Sequence, residues 1–209
     1  MNGVHQYSPA VPADRPTLHR DAIVRAARDL VVAGGLEALS LRRLAARLEV
    51  TAPALYAHVR DKQDLLRTLA EGEFDRLVAR FEAVDADDPL ERIRAHGRAY
   101  ARHAREQPEL FRLMFLFPPA LPAADVPDEA PLPAATAAFG LAAEAVEAAM
   151  AAGQIEADDP LLVVLTLWSG VHGVASVLQL GFGLPAALED ALVDEVTDRL
   201  LAGYRPGEG

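Results

Sequence analysis

The chain has no cysteine, which excludes disulfides and thiolate metal sites. It has a single lysine, Lys62, against nineteen arginines, and a single tryptophan, Trp168. Net positive charge is also missing. The formal balance over 209 residues is −11, which argues against a protein that coats nucleic acid indiscriminately. No uninterrupted apolar run reaches about 18 residues, so no membrane span is expected. The opening stretch MNGVHQYSPAVPADRP lacks a basic start followed by an apolar core. It therefore does not read as a signal peptide; residues 1–16 are expected to be a flexible tail, and cytoplasm is the default location. Catalytic signatures are missing too: there is no nucleophile elbow, HExxH, phosphate loop or dinucleotide fingerprint. Neither enzymatic activity nor a cofactor is expected. His96 and His103, seven apart, share a helix face, but nothing in the sequence brings His172 to them, so no zinc or other metal site is expected.

What is present is unevenly distributed. Between Arg15 and Lys62 nine basic residues stand against five acidic ones, a balance of +4, which leaves eleven against twenty-six, or −15, for the rest. A basic head on an acidic body suits a protein that offers one face to a polyanion. Within the head, Ile23, Ala26, Ala27, Leu30, Val31 and Gly34 follow the spacing of one buried helix face, with Thr17 as a candidate N-cap. Gly34-Gly35 reads as the end of that helix. No Gly-Lys-Ser/Thr follows the pair, so it is not a phosphate loop. Ser40 caps a second helix with Leu41, Leu44, Ala45 and Leu48 inward, which leaves Arg42, Arg43 and Arg47 outside. After the turn Leu48-Glu49-Val50, Thr51 caps a third helix and Pro53 sits in its first turn, where a missing N–H costs nothing.

The third helix is too short to stand alone, so Leu55 and Val59 must anchor it. Ala52, Pro53, Ala54, Tyr56, Ala57 and His58 are left facing outward or sideways. Small side chains let a helix sit deep in a groove, and apolar ones can meet thymine methyls. Tyr56 and His58 offer hydrogen-bonding groups at the reach of phosphate oxygens. Asp61 caps a fourth helix that begins at Lys62, where an ammonium and free N–H groups can meet one phosphate. That helix continues through Leu66, Leu69, Ala70, Phe74, Leu77 and Phe81. The pattern is a helix-turn-helix in a head of three helices, followed by a connecting helix, over residues 17–82.

RDAIVRAARDLVVAGG followed by LSLRRLAARLEVTAPALYAHVRDKQDLL resembles the TetR family of transcriptional regulators. The resemblance implies an all-α fold: an N-terminal three-helix DNA-binding head and a C-terminal helical bundle that binds a ligand and dimerises. It implies phosphate contacts by Thr51, Tyr56, His58 and Lys62 and base-facing positions from Ala52 to Ala57; beside that helix-turn-helix, Ser40 and the outward Arg42 are further candidate DNA contacts, well placed along a phosphate backbone. Glu49 stands where the family usually has glycine. If that position needs positive φ, glutamate costs on the order of 1 kcal/mol. Val59 replaces an aromatic that is common after the family's histidine.

The body is expected over residues 89–205. Asp85-Ala86-Asp87-Asp88-Pro89 breaks the chain before a helix carrying Ile93, His96, Gly97, Tyr100 and Ala104 on one face. Pro108 opens a short helix, and six prolines between Pro118 and Pro133 follow, either a loop lining a cavity or a disordered stretch. An alanine-rich helix over 134–152, ended by Gly153, carries Phe139, Leu141, Ala142, Val146, Ala149 and Met150 as core candidates. The run LLVVLTLWSGVHGVASVLQLGFG is apolar nearly all round, and the last helix, 186–203, carries Leu188, Leu192, Val196 and Leu200 among its apolar positions. An all-round apolar helix beside an amphipathic one suits a homodimer formed through the last two helices. Trp168, His172 and Gly173 also resemble the Trp-His-Gly segment of one C-terminal subclass of the family. Candidate ligand-binding residues are Tyr100, His103, Leu113, Met114, Phe115, Phe139, Trp168 and His172, which suggest a small lipophilic effector. The expected function is a homodimeric repressor on a palindromic double-stranded DNA operator, released by that effector. The alternative is a helical sensor or scaffold that has lost DNA binding.

Overall fold

The computed structural model describes residues 18–117, 132–156 and 158–207. The expected tail and most of the proline-rich segment lie outside them. Among the described residues there are nine helices and no strand: α1 (Arg20–Ala38), α2 (Leu41–Arg47), α3 (Ala52–Tyr56), α4 (Lys62–Glu82), α5 (Pro89–Glu106), α6 (Pro108–Met114), α7 (Pro133–Ala151), α8 (Pro160–Leu178) and α9 (Ala186–Ala202).

Local chemistry sets most of the boundaries. Ser40, Thr51, Asp61 and Asp88 each accept a hydrogen bond from a first-turn backbone N–H of the helix they precede. The α1 N-cap is His19, without a side-chain bond; Thr17, the expected cap, lies outside the described residues. α1 breaks at Gly34-Gly35, where Gly35 takes φ 70°, and α7 ends at Gly153, with φ 67°.

The long α4 ties the head to the rest. Its buried stripe, Leu65, Leu66, Leu69, Ala70, Phe74, Leu77 and Phe81, meets α1 on one side and α5, α6 and α7 on the other. One hydrophobic cluster therefore runs from Ile23 in α1 to Val193 in α9, across the expected head–body division. A second, centred on Val146, Ile155, Val163 and Leu201, closes the far end. Burial on this scale, at about 25 cal/mol per Å² of apolar surface, is the main force holding the bundle together.

Two helices, Pro133–Ala151 and Pro160–Leu178, are long and apolar enough by composition to cross a membrane, and a third of each apolar window is buried. Both pack against α5 and against each other. α9 turns only part of its apolar surface inward, with Leu192, Val196 and Leu200 half-buried against the core. Val193, Thr197 and Leu201 are buried, while Ala187, Leu188 and Ala191 are exposed. The apolar surface of this helix is wider than one subunit's core covers.

Candidate DNA-binding face and effector cavity

At the head, α2 and α3 are joined by a tight turn. Glu49 occupies its left-handed position with φ 55°, the one non-glycine residue with positive φ among the described residues. The glycine-type conformation is thus present without the glycine. Leu55 and Val59 are buried, at 0% and 2% exposure, and tie α3 into the large hydrophobic cluster beside α2. With that face used up, Thr51, Ala52, Pro53, Ala54, Tyr56 and Ala57 are all exposed and His58 is half-buried. The Thr51 hydroxyl accepts from the Ala54 N–H at 3.4 Å, so the cap orders the first turn of α3.

A second group of contacts steadies this face from behind. The Arg20 guanidinium donates to the His58 carbonyl at 2.6 Å, to the Thr68 hydroxyl at 2.9 Å and to the Asp64 carboxylate at 3.4 Å. Burial pushes the Asp64 carboxyl up, but hydrogen bonds from the Arg60 N–H and guanidinium and from Arg20, with the charge of Arg20, outweigh it and hold the carboxyl below the usual range. Lys62 opens α4 with its Nζ 3.5 Å from the Leu36 carbonyl, at the end of α1. Ser40 caps α2 with Arg42 exposed beside it. The expected phosphate-side residues Ser40, Arg42, Thr51, Tyr56, His58 and Lys62 therefore lie on or next to the α2–α3 face. Arg20 was not among them; its role depends on three elements meeting, which no local pattern shows.

The body holds a partly open cavity of about 200 Å³ between α4, α5, α7, α8 and α9, with Phe115 after α6 in its wall. Of the expected ligand residues, Tyr100, Phe115, Phe139 and Trp168 line it. His172 is not part of the lining; its Nδ1 lies 2.7 Å from the Tyr100 hydroxyl. His103, Leu113 and Met114 do not reach the cavity either, which corrects that expectation: all three are packed into the core with at most 1% exposure. His103 shares α5 with Tyr100, and Leu113 and Met114 immediately precede Phe115, so spacing along the chain could not separate residues facing the space from residues facing the core. Other parts of the wall, including Phe74, Phe81, His96, Ala138, Val164 and Thr197, had been legible only as buried positions or not at all.

The Tyr100 hydroxyl accepts from the Trp168 indole N–H at 3.2 Å and can donate to His172. Burial pushes the Tyr100 phenol well up and the His172 imidazole down, so both are held neutral. His96 stacks on Phe81 at 4.4 Å, and burial likewise lowers its pKa against a partly compensating hydrogen bond to the Phe81 backbone. Rings continue outward: Phe111 stacks on His172 at 5.7 Å and Phe115 meets it edge-on at 4.6 Å. Among the described residues, no three His, Asp or Glu side chains converge as metal ligands would.

Comparison with known proteins bears on both regions. The description "Bacterial regulatory proteins, tetR family" matches residues 23–69. "Tetracyclin repressor-like, C-terminal domain" matches residues 93–202. The chain is similar to an uncharacterised HTH-type transcriptional regulator of Mycobacterium tuberculosis (strain ATCC 25618 / H37Rv), with 27% identity over 190 residues, covering 89% of this chain and 81% of the relative. It is similar to the class C tetracycline repressor of Escherichia coli at 50% identity over 54 residues, which is 26% of this chain and only 25% of the repressor. Among solved structures, a protein of unknown function from Rhodococcus sp. RHA1 superposes with a TM-score of 0.77 at 30% identity, covering 92% of this chain and all of the other.

Proposed function

Because the chain belongs to the TetR family of transcriptional regulators, we propose that it is a ligand-responsive repressor that binds a palindromic DNA operator as a homodimer. The observation that carries this reading is the α2–α3 face, where every residue of α3 except its buried anchor Leu55 is exposed. Small side chains at Ala52, Pro53, Ala54 and Ala57 let α3 enter a major groove, and the thymine methyl is their natural apolar contact. Tyr56, His58 and Lys62, with the Thr51, Ser40 and Arg42 positions, contact the phosphates on either side and set the register.

Two copies place two such helices roughly 34 Å apart, one helical turn of DNA, through a dimer formed by α8 and α9. A small lipophilic effector in the body cavity favours a conformation in which that spacing no longer matches. By linkage, operator and effector weaken each other's binding by the same factor. This assignment has the protein work in the cytoplasm, without cofactor or metal.

The test is a gel shift with the protein's own upstream region across a salt series. Replacing Lys62 by Ala is expected to reduce the salt slope by about 1, as loss of one phosphate contact does. Tyr56→Ala is expected to weaken binding alike on all sequences that retain the operator. Absence of any salt-sensitive, sequence-selective binding to that region would support instead a helical sensor or scaffold that has lost DNA binding. The strained Glu49 in the turn is the feature that favours that second reading.

A further inference from the structure

The chemistry of the cavity wall narrows the effector class, on the premise that the body is the effector domain. Among the described residues lining the space there is no Asp, Glu, Lys or Arg. Four lining side chains carry polar atoms, and each is occupied or sealed. The Tyr100 hydroxyl is engaged by Trp168 and His172, which also uses the Trp168 indole N–H. The Thr197 hydroxyl donates to the Val193 carbonyl of its own helix at 2.8 Å. The His96 Nδ1 has no partner but is itself buried from contact with any probe the size of water. What remains facing the space is aromatic and aliphatic carbon: Phe74, Phe81, Phe115, Phe139 and the Trp168 ring among them. The volume of about 200 Å³ falls below the range usual for drug-sized ligands and just above the roughly 150 Å³ void that takes up benzene in an engineered core.

We propose that the cavity binds a compact, electrically neutral, hydrocarbon-like ring compound, held by shape and aromatic contact without a hydrogen bond to the protein. A charged group would meet no counter-ion among the described lining residues and would lose most of its hydration uncompensated. A hydroxyl would lose its water partner and find none in exchange. A long acyl chain exceeds the space.

Trp168 is the protein's one tryptophan and stands in the wall, so its fluorescence reports occupancy directly. The full-length protein is titrated with toluene, phenol, benzoate, benzylammonium and laurate. Toluene is expected to change the Trp168 emission saturably. Phenol is expected to bind about tenfold more weakly, and benzoate, benzylammonium and laurate at least a hundredfold more weakly. Ala138→Phe, which fills the space, is expected to abolish the toluene response with helix content unchanged. Should that variant fail to fold, Val164→Ala serves instead: it enlarges the cavity and is expected to improve binding of naphthalene relative to toluene. Tighter binding of phenol, laurate or either ion than of toluene overturns the proposal, and so does the absence of a saturable toluene response. A gel shift run alongside keeps the two readings apart. Toluene binding without operator release leaves the ligand class standing and removes the regulatory coupling. Operator binding with no response to toluene removes the ligand class alone.

Discussion

Glu49 and His103 show how single residues tune this molecule. Glu49 sits at φ 55° in the turn before α3. A left-handed conformation costs a residue with a Cβ roughly 1–2 kcal/mol, part of which glycine recovers and part of which it loses to the entropy of its unfolded chain. Glu49→Gly is therefore expected to raise stability by about 0.5–1 kcal/mol, a shift of roughly 1–4 °C in a chain of this size, read by thermal denaturation. Glu49→Ala removes the carboxylate but keeps the strain, so it is expected to leave the melting temperature nearly unchanged. Both variants should tighten operator binding by removing a negative charge beside the DNA, which a gel shift at two salt concentrations measures. His103 shows the opposite kind of tuning. Burial, and then the positive charge of Arg80, hold it down to about 4 from 6.5. The Glu73 carboxylate, 3.8 Å away, is too far to form a hydrogen bond with it. The folded state thus refuses a proton that the unfolded chain accepts between pH 6.5 and 4. The stability this neutral histidine contributes is complete above pH 6.5 and is lost as pH falls toward 4, by something of the order of 3 kcal/mol. His103→Leu is expected to flatten this limb of a urea-denaturation series against pH. His96 and His172, also lowered by burial, leave a residual slope. An unchanged slope would mean that His103 titrates normally.

At the scale of elements, α8 presents two glycines with opposite roles. A Cβ on Gly170 would come within 2.4 Å of Leu200 Cδ1 and 3.1 Å of Val196 Cγ1, so α8 and α9 touch there through the missing side chain. A Cβ on Gly173 would meet nothing within 4 Å. Gly170→Ala is expected to destabilise the fold by about 1 kcal/mol, near the low end of overpacking because the Leu200 methyl can rotate away while branched Val196 cannot. Gly173→Ala is expected to leave the subunit as stable or slightly more so, since alanine is the better helix former. Thermal melts of the two variants check the contrast. Both glycines lie in the same apolar run, and the chain alone cannot tell their roles apart, because their difference lies in where α9 crosses. The same limit governed the rest of the body. Caps, breaks and inward stripes at Ser40, Thr51, Asp61, Gly35 and Gly153 follow from neighbours in the chain, and they were readable. Whether a buried α5 side chain touches empty space, as Tyr100 does, or solid core, as His103 does, depends on α4, α7 and α8 together. Of the candidate ligand residues, Tyr100, Phe115, Phe139 and Trp168 line the cavity, whereas His103, Leu113, Met114 and even His172 on α8 do not, so neither helix nor spacing alone sorted them.

For the whole molecule, the outer surface left by α8 and α9 is the face on which the proposed dimer rests. Leu162 and Val177 on α8, Leu180 and Phe182 after it, and Leu188 on α9 are each between 46% and 73% exposed. Large apolar side chains spread along two adjacent helices are out of place on a lone subunit. Gly173, open on its outer side, would let a partner helix approach closely. In the proposed dimer a twofold axis through this face would bury each subunit's patch against its twin and keep the two α3 helices on the same side, as a palindromic operator would require. Val177→Glu combined with Leu188→Glu is expected to put unpaired charge into the centre of that contact on both sides of the axis. Neither side chain contributes to the subunit's own buried core, so circular dichroism should keep its helical signature. Sedimentation should then show a monomer in place of a dimer. Operator affinity should fall steeply, because two half-sites are no longer bound as one unit and only the weak affinity of a single head remains. Toluene should still change the fluorescence of Trp168, whose cavity is built entirely within one subunit. A double variant that still sediments as a dimer would place the interface elsewhere. A monomer that still binds the full operator as tightly as wild type would show instead that each head acts alone, and the coupling between cavity and DNA would then have to pass through α4 within a single chain.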